Sequence, residues 1–397
     1  MVSEGFSDRA ITIAFEVLKE YSAYDDEPPV EGLVSGFSGL GAPETAAMRL
    51  GVKPVLSMDG WDESINTLNA NYPGRHEQVW FGDGDKGSLE NVLGMIHDET
   101  TNLDSWALHM SPPCDDLSRA NQKAQVDAKE GMKMIDFTGQ MFDTVRDWEN
   151  APSMMSMEQT PEARKYILDD KLGLNTNLSE QFKAMVRNSP DLEAAQFGAP
   201  TFRNRLWSVE GTQAMPTHTK DNYRAVTDIL PNLKQEWEES GPVAGRFGKT
   251  RGRSAEIEHL RRLGKVGQGA FDMLSKPTLS MGGSINPGKK GAPWNDKKQG
   301  YAWKHIHGID RPVPSITHHR PALTHTRYLT RPEALQIQGF TPSEAEKFRF
   351  PQKDNATWQV TPNKKQNVID TQIGNTLSPN IYENLLRNVG RGQKRLW

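Results

Sequence analysis

Gly32-Leu-Val-Ser-Gly-Phe-Ser-Gly-Leu-Gly41 is the stretch whose reading decides the fold of this chain. Gly32-Leu-Val34 reads as a short buried strand, Gly36 to Gly41 as a glycine-rich turn, and Glu44 to Leu50 as a helix. Glycines at such a turn permit a tight bend and close approach of the backbone to a nucleotide-like ligand. Taken alone, an ordinary structural turn explains them equally well.

Working outward, the same grammar repeats. Pro54-Val-Leu-Ser57 predicts a second strand that ends at Asp59, and Trp80-Phe-Gly-Asp83 a third. Trp106-Ala-Leu-His-Met110 predicts a fourth strand, running into Ser111-Pro-Pro-Cys114. A helix over 131–149 leads to a fifth, Ser153-Met-Met-Ser-Met157, which ends at Glu158. Strands alternating with helices predict an α/β fold with a mostly parallel sheet. Polar and glycine-rich residues fall repeatedly at the C-terminal ends of these strands, the edge where open α/β sheets bind ligands. Asp59 is placed to grip ribose hydroxyls or, as simply, to cap the next helix. Asp83 carries the same two readings.

Before the deciding stretch, residues 1–29 read as a helix, from Arg9 to Tyr21, and an acidic linker, Asp25-Asp-Glu-Pro-Pro29. From 241 to 308 the texture is rich in Gly, Lys and Arg, as in Arg246-Phe-Gly-Lys-Thr-Arg-Gly-Arg253, and loops are expected there. Helical character returns over Arg331 to Gln338, which stops at Gly339, and over Asn380 to Val389. No internal repeat is evident.

Charge is distributed unevenly. The net charge of −4 hides 21 Lys+Arg against 40 Asp+Glu in residues 1–240, and 26 against 11 in residues 241–397. Such asymmetry points to nucleic acid, with chance clustering on a solvated surface as the plain alternative. With 36% hydrophobic residues and no apolar run of membrane-spanning length, a soluble protein is expected. The first residues lack a basic start followed by an apolar stretch, so a secretory signal is not expected.

The one cysteine, Cys114, forms no internal disulfide and builds no four-cysteine zinc site. A lone thiol is ordinarily a small buried hydrophobe. Two preceding prolines and the polar residues after it instead predict a rigid exposed loop leaving a strand, where a nucleophile would be placed.

The order of these blocks is far more specific than any of them. Phe37-Ser-Gly-Leu-Gly41, the strand-end Asp59, Gly82-Asp83 and Ser111-Pro-Pro-Cys114 precede a strand ending in Glu158. Phe202-Arg-Asn-Arg205, Arg327-Tyr-Leu-Thr-Arg-Pro-Glu333, Leu335-Gln-Ile-Gln-Gly-Phe340 and Gly374-Asn-Thr-Leu-Ser-Pro379 follow. In that order and spacing, over roughly 32–388, the chain resembles the cytosine-C5 DNA methyltransferase family. The resemblance implies a Rossmann-like methyltransferase fold with a mixed, mostly parallel sheet and a smaller, irregular target-recognition domain. The expected layout is an N-terminal helix and linker (1–29), a catalytic domain (30–210), a target-recognition region (211–310) and a return to the catalytic domain with a C-terminal helix (311–397).

What the resemblance implies chemically is methyl transfer from S-adenosylmethionine to carbon 5 of cytosine in double-stranded DNA. Cys114 would add to carbon 6 of a base flipped out of the duplex. Glu158 would contact the N3 and N4 edge of that base, and Arg203 and Arg205 would lie near the base and the thiol. For the cofactor, Phe37 would pack on the adenine, the backbone of Ser38, Gly39, Leu40 and Gly41 would approach the methionine part, and Asp59 would hold the ribose. Asp83 would meet the adenine amino group, Trp61 is a candidate to stack on adenine, and Asn375 would fold back beside the first turn. No metal is implied. The basic segment 241–310, with 13 Lys+Arg against 5 Asp+Glu, would read guanine edges or hold phosphates. The partners implied are duplex DNA and a cognate restriction endonuclease, with no membrane; a monomer is expected, in the cytoplasm of a prokaryotic or virus-infected cell, or in a nucleus if eukaryotic. RNA as the methylated polymer, and a DNA-binding homologue without activity, are the rival readings.

Several positions depart from the family pattern. Asp115 and Asp116 follow the cysteine where Gln is common, and Glu158-Gln-Thr160 replaces Glu-Asn-Val. Ser35 stands at the place of an acid, Thr201 at that of a Gln, and Gly60 separates Asp59 from the aromatic Trp61.

Overall fold

The computed structural model of the protein describes residues 27–114, 117, 129–169, 178–239, 277–280, 306–316, 321–323, 327–353, 357–361 and 364–390. The helix expected over 9–21, most of the basic segment, and Asp115 and Asp116 lie outside the described residues.

Strand β1 (Gly32–Gly36) is followed by helix α1 (Ala42–Arg49), β2 (Lys53–Asp59), α2 (Asp62–Asn71), β3 (Arg75–Gln78), α3 (Leu89–Thr100) and β4 (Trp106–Met110). Then come α4 (Lys129–Arg146), β5 (Met154–Gln159), α5 (Ala163–Leu168), α6 (Glu180–Arg187), β6 (Asp191–Glu193), β7 (Thr201–Phe202) and β8 (Asn204–Glu210). The main sheet has the order β3-β2-β1-β4-β5-β8-β6. Strands β1 to β5 pair in parallel, and β8 runs antiparallel between β5 and β6. This is the expected α/β architecture with a mixed, mostly parallel sheet.

From β1 the chain winds outward through β2 and β3, then jumps back across β1 to β4 and β5. The order therefore reverses between β1 and β4, and the crevice beyond their C-terminal ends is the topological switch point. Gly36 and Met110, the last residues of those two strands, are directly in register. The glycine turn and the Pro-Pro-Cys loop thus leave the sheet side by side.

The central strands are buried on both faces, as strands between two helical layers must be. Leu33, Ala107 and Trp207 face one core, which α1 and the last helix cover with Ala46, Tyr382 and Leu385. Val34, Leu108 and Met155 face the other, closed by Ile96 of α3, Phe142 of α4 and Phe182 of α6. Trp106 and Trp207 are both fully enclosed, and each such side chain contributes on the order of 2 kcal/mol by leaving water.

One expected strand is corrected. The third strand is Arg75–Gln78, and Trp80-Phe-Gly-Asp83 is a turn. Gly82 has φ 73°, its N–H donates to Gly87 O at 2.7 Å, and Asp83 N–H donates to Trp80 O at 2.9 Å. The true strand is polar because β3 is the sheet edge, paired only with β2 and partly exposed along its length. It carries no apolar pattern to read.

After α7 (Val226–Ile229) and α8 (Asn232–Glu239), β9 (Thr278–Ser280), β10 (Ile306–Gly308), β12 (Ala322–Leu323) and β13 (Arg327–Tyr328) form a small sheet in the order β10-β9-β12-β13. Strand β11 (Val313–Pro314) pairs in parallel with β7. The return segment contains α9 (Arg331–Ile337), α10 (Pro342–Lys347), the β14 (Thr357–Thr361)–β15 (Lys364–Asn367) hairpin, α11 (Val368–Asn375) and α12 (Pro379–Arg387). Thr330 and Thr341 cap α9 and α10, each through a reciprocal box with the glutamate three residues on.

Arg49, the last residue of α1, ties this return to the first half. Its guanidinium donates to Glu344 at 2.6 and 2.8 Å, to Glu383 and Asn380 at 2.9 Å, and to Gly339 O at 3.0 Å. The two carboxylates raise the pKa of this buried group above its ordinary value against the opposing effect of burial.

Candidate active site

The turn after β1 is held from below. Ser38 N–H donates to Met58 O at 3.1 Å, and the Ser38 and Ser35 hydroxyls are 2.6 Å apart. Leu40 is buried in the core beneath the turn, and its carbonyl accepts from Tyr72 OH at 3.1 Å. Phe37 has φ 56°, the only positive φ of a non-glycine among the described residues, and its ring packs on Phe81 at 4.2 Å. A left-handed backbone at a bulky residue is strained and persists where surroundings force it, commonly at functional sites.

Gly39 faces open space: a Cβ built on it meets nothing within 4 Å, at φ 57°. This bare backbone is the cradle a ligand would occupy. Asp59, at the end of β2, accepts the Gly39 N–H and the Trp61 N–H, each at 2.9 Å. Burial pushes its carboxyl above the ordinary range, against the lowering effect of those N–H groups. An open glycine turn beside a buried strand-end acid fits a nucleoside-bearing cofactor, which Gly39 and Asp59 would hold, while Gly41 packs against Tyr72 and donates its N–H to Ser38 O at 2.9 Å.

The neighbouring loop is held just as firmly. Gln159, the last residue of β5, donates its amide to Pro112 O at 2.8 Å and Pro113 O at 3.3 Å. Cys114 follows at once and is partly exposed. Its carbonyl accepts from Leu117 N–H at 3.0 Å. Beside Gln159, Glu158 is 4% exposed. It accepts from Ser111 Oγ at 3.0 Å and pairs with Arg205 Nε at 2.9 Å. Strand β8 brings Arg205 there because it runs antiparallel to β5, so its first residues lie against the last residues of β5.

Arg203 sits deeper. It donates to Ser315 Oγ at 2.9 Å, Gly374 O at 3.1 Å and Asn375 O at 3.0 Å. Its guanidinium is thereby committed to clamping the Gly-Asn block against the site. Burial lowers its pKa, helped by Arg205 and opposed by the charges of Glu158 and Cys114. Those four groups therefore form one electrostatic cluster.

Of the residues anticipated from sequence, Cys114, Glu158, Arg203 and Arg205 meet at one end of the sheet, and Phe37, Ser38, Gly39, Leu40, Gly41 and Asp59 form the turn next to it. Asn375 is present through its backbone carbonyl, while the residue itself is exposed. Asp83 is exposed in the Trp80–Gly87 turn. Trp61 begins α2 and is 40% exposed, while Trp80 covers Gly60 so closely that a Cβ there would lie 3.0 Å from its ring. Two residues were not anticipated: Ser111 and Gln159. Both are visible in the sequence only as neighbours of Cys114 and Glu158.

The sequence of residues 33–391 matches the model of the C-5 cytosine-specific DNA methylase family. A Type II methylase of Herpetosiphon aurantiacus, M.HgiDII, is 29% identical over 126 residues, covering 30% of this chain and 33% of that protein. The chain thus aligns with about a third of that relative's length. Among solved structures, a protein encoded within an E. coli prophage and described as a DNA modification methyltransferase superposes with TM-score 0.47 at 17% identity, over 91% of this chain and 98% of that one. The S. pombe Dnmt2 methyltransferase gives TM-score 0.44 at 12% identity, over 92% and 99%. With the family model covering nearly all of the described fold, the chain belongs to the C-5 cytosine-specific DNA methylase family.

Proposed function

We propose that the protein transfers a methyl group from S-adenosylmethionine to carbon 5 of cytosine in double-stranded DNA, through a covalent adduct of Cys114 with a flipped base. The observation that carries this reading is the set of hydrogen bonds and one ion pair that surrounds the Cys114 loop at the switch point. Gln159 anchors the loop of the thiol, and its neighbour Glu158 joins Ser111 and Arg205.

Carbon 5 of cytosine is a weak nucleophile. Addition of the Cys114 thiolate to carbon 6 converts the 5,6 double bond to an enamine, splitting one hard step into easier ones. Glu158, carrying a proton, would face the N3 edge of the base and donate that proton to N3 as the thiolate adds, offsetting the negative charge that develops there, while Arg205 would hold the carboxyl in place. S-adenosylmethionine, held by the 36–41 turn and Asp59, supplies an electrophilic methyl group on a cationic sulfur. Carbon 5 of the enamine would form a bond to that methyl as the sulfur–methyl bond breaks and S-adenosylhomocysteine leaves; loss of the carbon 5 proton to water would then expel the Cys114 thiolate and restore the double bond.

Unstacking the base costs a few kcal/mol, which phosphate contacts from the basic region 241–310 would offset. That region supports the proposed layout of a catalytic domain (30–210 and 311–397) carrying an inserted recognition region (211–310). The likeness to a Type II methylase supports a place beside a cognate restriction endonuclease.

The test is transfer of labelled methyl from S-adenosylmethionine to duplex DNA and, separately, to RNA of the same sequence, with wild type and Cys114→Ala. Label in DNA that is absent in the variant is the expected result. Label in RNA alone replaces the DNA reading, and no label in either, with cofactor binding intact, overturns it.

A further inference from the structure

A cavity of about 610 Å³ lies at the far end of α1 from the glycine turn, with Arg49 in its wall. The helix has 8 residues, so its two ends are about 12 Å apart. No residue of the 36–41 turn, and none of Cys114, Glu158, Arg203 and Arg205, lines this space.

The cavity has a polar floor because of the spacing along α12. Asn380, Glu383, Asn384 and Arg387 stand three, four and seven residues apart and share one face, while Ile381, Tyr382, Leu385 and Leu386 are buried on the other. The segment after β8 is fastened along that helix and makes a wall. Thr212 Oγ1 donates to Leu385 O at 2.6 Å, Met215 N–H donates to Asn384 Oδ1 at 2.8 Å, and Asn384 Nδ2 donates to Met215 O at 2.9 Å. His218 N–H donates to Gln196 O at 2.9 Å. Ile229 and Phe340 add apolar surface. The walls are thus held to one another by their own hydrogen bonds.

Most of the charge in this space is matched. Arg49 and Arg387 pair with Glu383, and Arg49 also with Glu344. Asp228 accepts the Ala225 N–H at 2.7 Å. Arg224 is different: it is half-buried, its Nε is enclosed without a hydrogen-bond partner, and no carboxylate among the described residues pairs with its guanidinium. A partly buried cation is costly unless something answers its charge. With one unmatched guanidinium and Asp228 on the same wall, the space accommodates one negative charge and disfavours two.

We propose that this cavity is a second ligand site, separate from the methyl-transfer centre, for a small organic monocarboxylate with an apolar body. Arg224 grips the carboxylate, whose planar shape matches a guanidinium through paired N–H···O bonds. Met215, Ile229 and Phe340 take the apolar body. The volume falls within the roughly 300–1,000 Å³ of small-molecule pockets. The proposal does not depend on the chemistry assigned to Cys114.

The experiment is calorimetric titration of the full chain with 2-naphthoate, its neutral isostere 2-naphthamide and the dianion 2-naphthyl phosphate. Naphthoate is expected to bind about ten-fold more tightly than either of the others. Arg224→Met should bring naphthoate down to the level of the amide, and Arg224→Lys should recover only part of the difference, because an ammonium cannot make the paired bonds. Ile229→Trp keeps Arg224 and fills the apolar end, so it should abolish naphthoate binding; it decides the matter even if Arg224→Met fails to fold. Wild type that does not bind naphthoate, an amide or phosphate that binds as tightly as the acid, or naphthoate binding unchanged in folded Arg224→Met or Ile229→Trp would each overturn the proposal.

Discussion

Gln159 offers the sharpest test of how the thiol is positioned. Its side-chain amide donates to Pro112 O at 2.8 Å and Pro113 O at 3.3 Å, and Gln159 itself is wholly buried. Gln159→Leu preserves volume and removes both donors. Three hydrogen bonds are lost, since Gln159 Oε1 also accepts from Thr160 N–H at 2.8 Å, leaving Pro112 O and a buried N–H unpaired, for a stability cost of about 2–4 kcal/mol. The larger effect is on geometry. The two prolines hold Cys114 rigidly relative to the loop, so a loop released from β5 carries the thiol with it. A displacement of about 1 Å at a reacting group costs on the order of 100-fold in rate. The side-chain hydrogen bonds of Gln159 go to Pro112, Pro113 and Thr160 and not to the 36–41 turn, so cofactor affinity should stay within about two-fold of wild type. The assay is single-turnover methyl transfer to duplex DNA, with cofactor binding measured separately by calorimetry. A rate within three-fold of wild type at unchanged cofactor affinity would refute the claim that this amide places the nucleophile. A parallel fall in rate and cofactor affinity would show instead that the whole edge of the sheet had loosened.

Three further outcomes follow from the same contacts. Arg49→Met leaves Glu344 and Glu383 without their buried partner and should cost about 3 kcal/mol, read as a fall in Tm of several degrees; adding Glu344→Gln should recover part of it, and no recovery would mean that packing rather than charge is at stake. His109, buried against Trp207 and Tyr382, has its pKa lowered by burial to about 3. The unfolded chain takes up this proton as pH falls below about 6.5 and the folded chain does not until about 3, so stability should drop by about 2 kcal/mol between about pH 7.5 and pH 5; urea midpoints of His109→Phe should lack that part of the slope, and identical slopes would contradict it. Arg203→Lys loses the fork that grips Gly374 O and Asn375 O, so it should cost about 1–3 kcal/mol in urea denaturation, and a variant as stable as wild type would argue against the clamp.

Legibility in the sequence tracked burial. Strands β1, β2, β4 and β5 are short apolar runs because both their faces are covered, and each was readable with its C-terminal polar residue. Strand β3, Arg-His-Glu-Gln, lies at an edge and had no such signature. Strand β8, Asn-Arg-Leu-Trp-Ser-Val-Glu, has polar residues at both ends and no continuous apolar run, and its antiparallel direction, which carries Arg205 to Glu158, is a property of pairing that no local pattern encodes. Ordered motifs pointed to Cys114, Glu158, Arg203 and Arg205, but they did not say what each arginine contacts. Arg203 and Arg205 stand two apart on one chain. The antiparallel register sends the second to Glu158, while the first meets carbonyls some 170 residues away in sequence.

The departures from the family pattern are where local reading failed for the clearest physical reason. Gln159 looks like a substitution that weakens the surroundings of Glu158, yet its longer side chain is what reaches the carbonyls of Pro112 and Pro113. Ser35 looks like the loss of an acid, and Glu44 like an ordinary acidic residue at the start of a helix. In the folded chain they are two ends of one hydrogen bond beneath the 36–41 turn. A motif tallies residues strand by strand, but the surroundings of a buried turn depend on which groups reach it in space, whichever backbone supplies them. The Ser35 hydroxyl meets Glu44 of α1 and Ser38 of the turn, and so joins the helix to the turn where a strand-by-strand reading sees only a missing acid. A substitution that appears to disable such a site should therefore be judged only after every side chain able to reach the same volume has been placed.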